Sequence, residues 1–274
     1  SEDRGEHAVS FIERHARWSP AQAQAARTMA ARIRDEALET VRVAWADQHG
    51  LTRVKTLVAA EAMQALDAGV RMVSTLLLKD TANKTAWPVF TAGGGFGSKD
   101  FEGANDVMLV PDPATFRVLP WAGRTGWVLC EAYFPDGRPV PYDTRGALRR
   151  ALGKLGDAGY DYVAGLEVEL HVFKVAAPRL ATGDSGWPGT PPEVSLVHAG
   201  YQLLSEQRAD HAEPAIEELW RAVVAMGLPL RSVEIELGPS QIEFVFDVGR
   251  GMESADTMVL FRNAAKQIMR RNGL

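Results

Sequence analysis

Val233-Glu234-Ile235-Glu236-Leu237-Gly238-Pro239-Ser240-Gln241-Ile242-Glu243-Phe244-Val245-Phe246 holds two alternating runs on either side of a four-residue break. Successive side chains of an extended chain point to opposite faces, so Val233, Ile235 and Leu237 share one face and Glu234 and Glu236 the other. Gly238-Pro239-Ser240-Gln241 is turn chemistry. Beyond it Glu243 lies between Ile242 and Phe244, opposite the large apolar residues. A hairpin folded at this turn brings Glu236 and Glu243 side by side. Like charges so placed repel, and a divalent cation would offset the repulsion.

Upstream, Leu166-Glu167-Val168-Glu169-Leu170 alternates in the same way, with His171 on the acidic face. An isolated strand of this kind is most often the solvated face of an antiparallel sheet. Two such segments admit a second reading, in which Glu167, Glu169, Glu236 and Glu243 converge on metal. Carboxylate oxygens without thiolates suit Mg²⁺ or Mn²⁺, ions that also bridge the phosphates of ATP.

Residues 21–38 read as a helix behind a Ser19-Pro20 cap, with Met29, Ile33 and Ala37 as its buried stripe. Residues 41–46 and 51–58 read as a hairpin about Asp47-Gln48-His49-Gly50, followed by a helix over 59–68 ending at Gly69. Further strands are expected at 107–110, 116–119 and 127–134. A helix over 146–155 and a strand over 165–173 open the second half. Residues 176–192, rich in Gly, Pro, Thr and Ser, read as a long loop and candidate flap. A helix over 214–226, the hairpin and a final helix to Arg271 capped by Ser254 complete an α+β chain.

Composition narrows the function classes. Among the 274 residues, 30 Lys+Arg against 35 Asp+Glu give a net charge of -5, which argues against nucleic acid or an anionic membrane as the main partner. Cys130 is the single cysteine, so no intrachain disulfide or thiolate zinc site can form, and a reducing cytoplasm fits. No apolar run approaches a membrane span, and the polar opening at residues 1–6 lacks signal-peptide order. Gly93-Gly94-Gly95-Phe96-Gly97-Ser98-Lys99 lacks the Gly-Lys-Ser/Thr order of a phosphate loop and reads as a flexible loop. The six histidines, His7, His15, His49, His171, His198 and His211, show no metal-ligand spacing.

Several segments together resemble glutamine synthetase. Residues 41–55 are similar to the opening hairpin of that family's β-grasp domain. Asp106-Val107-Met108-Leu109-Val110-Pro111-Asp112-Pro113 resembles its D-x-x-L-x-P-D-P stretch, followed by Thr115, Arg117 and Pro120-Trp121. Asp136-Gly137-Arg138-Pro139 with Asp143-Thr144-Arg145 resembles the junction into its catalytic domain. Glu167-Val168-Glu169 is similar to its first metal-binding strand. Glu236-Leu237-Gly238-Pro239-Ser240-Gln241-Ile242-Glu243 is similar to its E-x-x-P-G-Q-x-E hairpin.

The resemblance implies a helical extension over residues 1–38, a β-grasp domain over 39–142 and part of a catalytic domain over 143–274. It implies that Glu169, Glu236 and Glu243 hold one metal and that Glu167 helps hold a second. It further implies ATP-dependent phosphorylation of the γ-carboxylate of glutamate, attack by an amine on the acyl phosphate, and a ring of subunits. The family's remaining metal-binding His and Glu, its glutamate-binding Arg and most of its ATP contacts have no counterpart within 274 residues, so this chain by itself is expected to be inactive. Two departures bear on chemistry. Ammonia-using members carry an Asp after a Phe in a β-grasp loop, where Phe90 is followed here by Thr91-Ala92-Gly93, which favours a larger amine. Ser240 stands where the family's hairpin has Gly. The alternative function is an inactive binding or regulatory subunit.

Overall fold

The computed structural model describes residues 9–274; the polar opening at residues 1–6 and His7 lie outside the described residues. The chain packs as two units, one running to Gly153 and the other from Lys154 to Leu274.

In the first unit a short α1 (Phe11–Arg14) precedes α2 (Pro20–Asp35). Ser19 accepts the N–H of Gln22 while the Gln22 side chain accepts the N–H of Ser19, and Pro20 sits where no N–H is needed. Met29 and Ile33 are buried as their spacing requires. Ala37 does not extend the stripe: it takes a φ of 48° beyond the helix end, and Leu38 fills the core instead. The strands are β1 (Thr40–Ala46), β2 (Thr52–Val58), β3 (Val70–Val73), β4 (Asp106–Pro111), β5 (Arg117–Val118) and β6 (Thr125–Tyr133), with α3 (Ala59–Ala68) between β2 and β3. Their order is β2-β1-β6-β4-β3, with β5 also on β6. Only the β1–β6 pair is parallel among these described strands. Val41, Val43 and Trp45 of β1 pack with Met29 and Ile33 of α2 and Ala62 and Leu66 of α3.

The start of α4 (Thr144–Asp157) is tied to this sheet by buried charge. Arg145 donates to Asp112 at 2.7 Å and to Glu131 at 2.6 Å, and Arg149 reaches the same two carboxylates. Burial works to raise the Asp112 pKa, but Arg145, Gln22 and Arg149 outweigh it and hold the carboxyl below its ordinary value. Asp143 accepts the Trp45 indole N–H and the Gly146 N–H, both at 2.6 Å. Burial nevertheless pushes it up to about 6. A raised carboxyl stabilises the fold fully below its unfolded pKa and loses that contribution as pH rises through the folded one. The wild type is therefore expected to lose on the order of 2–3 kcal/mol between about pH 4 and pH 7 from this group. Asp143→Asn should lack that component. Melting curves of both proteins across this range check it, and parallel pH profiles would refute it.

The second unit contains β7 (Val163–His171), β8 (Phe173–Ala177), β9 (Glu193–Leu196), α5 (Glu206–Ala225), β10 (Leu230–Ile235), β11 (Gln241–Arg250) and α6 (Glu253–Arg271). A three-stranded antiparallel sheet, β10-β11-β7, has β11 at its centre. Ile242, Phe244 and Phe246 of β11 are buried, and Phe261 of α6 meets the two phenylalanines at 4.9 and 5.2 Å. The alternation that buries these residues leaves the glutamates on the other face.

Three details differ from expectation. Helix α5 starts at Glu206, capped by Ser205, rather than at Pro214, because the exposed Pro214 is accommodated inside it. Ser254 does not cap α6; Met252 holds that position and the Ser254 hydroxyl donates to the Ala164 carbonyl at 2.8 Å. The Gly/Pro-rich segment joins the paired strands β8 and β9, so it is the tip of a hairpin.

Candidate metal centre

The register places Glu169 of β7 directly beside Glu243 of β11, and Glu243 directly beside Glu234 of β10. Glu236 pairs instead with Gln241, through its N–H to the Gln241 carbonyl at 3.2 Å, and so stands diagonal to Glu243. The diagonal is short enough: one carboxylate oxygen from each of Glu169, Glu236 and Glu243 lies within 4.8 Å of the others. Glu167 falls opposite Val245, one step further along the same face, and is not part of that trio. Three of the four expected residues are therefore brought together, with the fourth on the same face. Alternation placed Glu234 on this face too, but its direct pairing with Glu243 depends on where the turn closes.

Electrostatics agree with the crowding. The Glu243 pKa is raised by desolvation first, then by the charges of Glu167 and Glu236, a hydrogen bond with Glu236, and the charge of Glu234. Like charges held this close on a rigid sheet resist further ionisation. An all-oxygen donor set within one ion's reach, with excess negative charge, fits a hard divalent cation such as Mg²⁺ or Mn²⁺.

The turn that sets this geometry is itself constrained. Ser240 has a φ of 57°, the left-handed conformation that glycine adopts without cost. The serine is fully buried, and its side chain supplies contacts glycine could not. Its Oγ accepts the Val197 N–H at 2.8 Å and donates to the His198 carbonyl at 3.4 Å, while its own N–H donates to that carbonyl at 3.0 Å. Gln241 connects turn to site: its side-chain oxygen accepts the Gly238 N–H at 2.8 Å and its amide donates to Glu169.

The remaining candidates separate from this centre. Cys130 is buried, and desolvation raises its pKa, as for an unreactive core thiol. Gly95–Gly97 forms a single 3₁₀ turn between loop residues, without the strand and helix of a phosphate loop. No helix among the described residues is long and apolar enough to cross a membrane.

Comparison with known proteins places this geometry. Residues 141–274 match the family of glutamine synthetase catalytic domains. The chain is 37% identical over 271 residues to the γ-glutamylanilide synthase of an Acinetobacter species, covering 97% of this chain and 54% of that protein. It is 32% identical over 177 residues to the glutamine synthetase of Thermus thermophilus, covering 62% of this chain and 37% of that one. A solved structure of GmaS with ADP superposes with a TM-score of 0.66 over 89% of this chain and 50% of the other, at 21% identity, a likeness of fold. The matches span 37–54% of the length of these proteins. With the catalytic-domain match running over both acidic segments, the chain belongs to the glutamine synthetase family.

Proposed function

We propose that the protein is an ATP-dependent ligase that activates the γ-carboxylate of glutamate and joins it to an amine larger than ammonia. The observation that carries this reading is the trio Glu169, Glu236 and Glu243 within 4.8 Å on one sheet face. In this reading the trio holds one Mg²⁺ or Mn²⁺, and Glu167, exposed on the same face, contributes to a second. Such ions, when bound, supply positive charge where phosphoryl transfer concentrates negative charge. The chain's own part is to hold three carboxylates at fixed spacing, two on paired strands and Glu236 just past the end of β10, so that little reorganisation accompanies substrate binding.

The choice of amine rests on the loop after Phe90. Ammonium is mostly protonated at neutral pH and gains from a carboxylate that takes its proton; Thr91-Ala92-Gly93 offers none. Glu102, the carboxylate folded against this segment, accepts the Gly93 N–H at 2.8 Å. The surroundings are aromatic: Phe90 is 83% exposed, and Phe96 contacts Trp87 at 4.7 Å and Tyr142 at 5.4 Å. Apolar rings around a carboxylate already engaged by a backbone N–H suit an organic amine better than a small cation. The anilide-forming activity named for the Acinetobacter relative supports the same direction.

In this assignment residues 1–38 are a helical extension, 39–142 a β-grasp domain and 143–274 part of the catalytic domain. The full-length protein works in the cytoplasm as a ring of identical subunits. Phosphate release by full-length protein with glutamate, Mg-ATP and a panel of ammonia, alkylamines, polyamines and aromatic amines tests the reading. An organic amine is expected to exceed ammonia in kcat/KM by roughly 10-fold or more, about 1.4 kcal/mol of transition-state discrimination. Ammonia as the best acceptor would overturn the loop argument. No release with any amine would favour the inactive-subunit alternative.

A further inference from the structure

The 238–241 turn is gripped by two histidines. The His171 Nδ1 lies 2.8 Å from the Pro239 carbonyl, which can only accept, so Nδ1 carries the proton. The His171 ring stacks on Phe173 at 5.9 Å with 7° between planes, which fixes its orientation. His198 takes the opposite tautomer. Its Nδ1 accepts the Gly200 N–H at 3.2 Å, so Nε2 bears the proton and donates to the Gln241 carbonyl at 3.3 Å. His198 is buried, and desolvation lowers its pKa, in keeping with a neutral ring.

The segment that carries His198 also straps the free edge of β10. The Tyr201 N–H donates to the Leu237 carbonyl at 2.7 Å and the Leu204 N–H to the Ile235 carbonyl at 3.0 Å, so the carbonyls on both sides of Glu236 are held. Gly200 makes the approach possible: at its φ of +74° an added Cβ would stand 2.6 Å from the Pro239 nitrogen and 2.8 Å from the Gly238 carbonyl carbon. Glu236 and Glu243 are each separated by one residue from the turn so fixed, and Gln241 within it reaches Glu169.

We propose that His171 and His198 are positioning residues that hold the turn and so set the spacing of Glu236 and Glu243 for a divalent cation. This rests on the metal-centre reading above. Neither ring is a ligand here; each acts through a backbone carbonyl, the way outer partners orient the groups that touch a metal.

His171 is the better test because it is exposed and its loss opens no core. Mn²⁺ binding to the 274-residue chain is measured calorimetrically for wild type, His171→Phe and His171→Asn, with amide exchange at Ser240 and Gln241. Phenylalanine keeps the stack on Phe173 but donates nothing; asparagine places an N–H near the position of Nδ1. Expected are a Mn²⁺ affinity about 10-fold weaker in His171→Phe, faster exchange in the turn, and recovery to within about 3-fold of wild type in His171→Asn. A lower Tm in His171→Phe with unchanged Mn²⁺ affinity would show a structural role only and overturn the inference while leaving the metal centre intact. No Mn²⁺ binding by wild type would overturn the metal reading and this inference with it.

Discussion

Glu243→Gln is expected to weaken Mn²⁺ or Mg²⁺ binding by roughly 100-fold or more, because loss of a direct ligand should exceed the 10–100-fold cost of losing an outer partner. The substitution preserves shape and an oxygen but removes charge from the central member of the trio, the residue beside both Glu169 and Glu234. Its effect on the metal-free protein should be opposite. The Glu243 pKa is raised by desolvation and by Glu167 and Glu236, so ionised Glu243 costs stability that is recovered as pH falls. Metal-free Glu243→Gln should therefore melt no lower than wild type at neutral pH, and the two should converge in acid. Calorimetric titration and melting with and without Mn²⁺ give both numbers. Wild-type affinity in the variant would remove Glu243 from the site. A lower melting temperature of the metal-free variant at neutral pH would show that Glu243 serves the fold rather than a function that strains it.

The acidic face was legible in the sequence because a strand's period of two is a local property. Leu166 to Leu170 and Val233 to Phe246 alternate so strictly that the orientation of each glutamate follows from its neighbours. Which glutamates pair across strands was not legible. That depends on how tightly the chain closes at Gly238-Pro239, and the closure leaves Glu234, not Glu236, directly beside Glu243. The histidines illustrate the same limit. Scanned for ligand spacing, His171 and His198 said nothing, since their partners are the carbonyls of Pro239 and Gln241, far along the chain. Ser240 was recognisable as an anomaly in a position suited to glycine. What its buried hydroxyl gains could be seen only once residues 197 and 198 lay against it. Short elements were missed for a related reason: β3 and β9, each of four residues, are too brief to show a period and exist through pairing with β4 and β8.

Arg145→Met is expected to destabilise the first unit by about 3–5 kcal/mol, the usual cost of leaving buried charge without its partner. Arg145 is buried between Asp112 and Glu131, both buried themselves, and bonds each at 2.7 and 2.6 Å. Methionine fills similar volume, so the loss would be electrostatic rather than a cavity. Arg149 contacts the same carboxylates but its side chain is 44% exposed. Arg149→Met should thus cost less, since the carboxylates keep Arg145 and water had already screened much of that pairing. The pH dependence carries the sign. Asp112 has its pKa lowered, with burial opposed by Arg145, Gln22 and Arg149, so its contribution is present above its unfolded value and lost as pH falls through the folded one. The gap between wild type and Arg145→Met should accordingly be widest near neutral pH and narrow in acid, where the orphaned carboxylates take up protons. Replacing all three residues at once, as Asp112→Asn, Glu131→Gln and Arg145→Met, should recover much of the loss, because no buried carboxylate is left ionised and the remaining guanidinium, Arg149, is open to water. Denaturant unfolding of the single and triple variants at two pH values decides the matter. A loss for Arg145→Met no larger than for Arg149→Met, or one independent of pH, would mean that the arginine contributes packing along its stem and not the charge that binds α4 to the sheet.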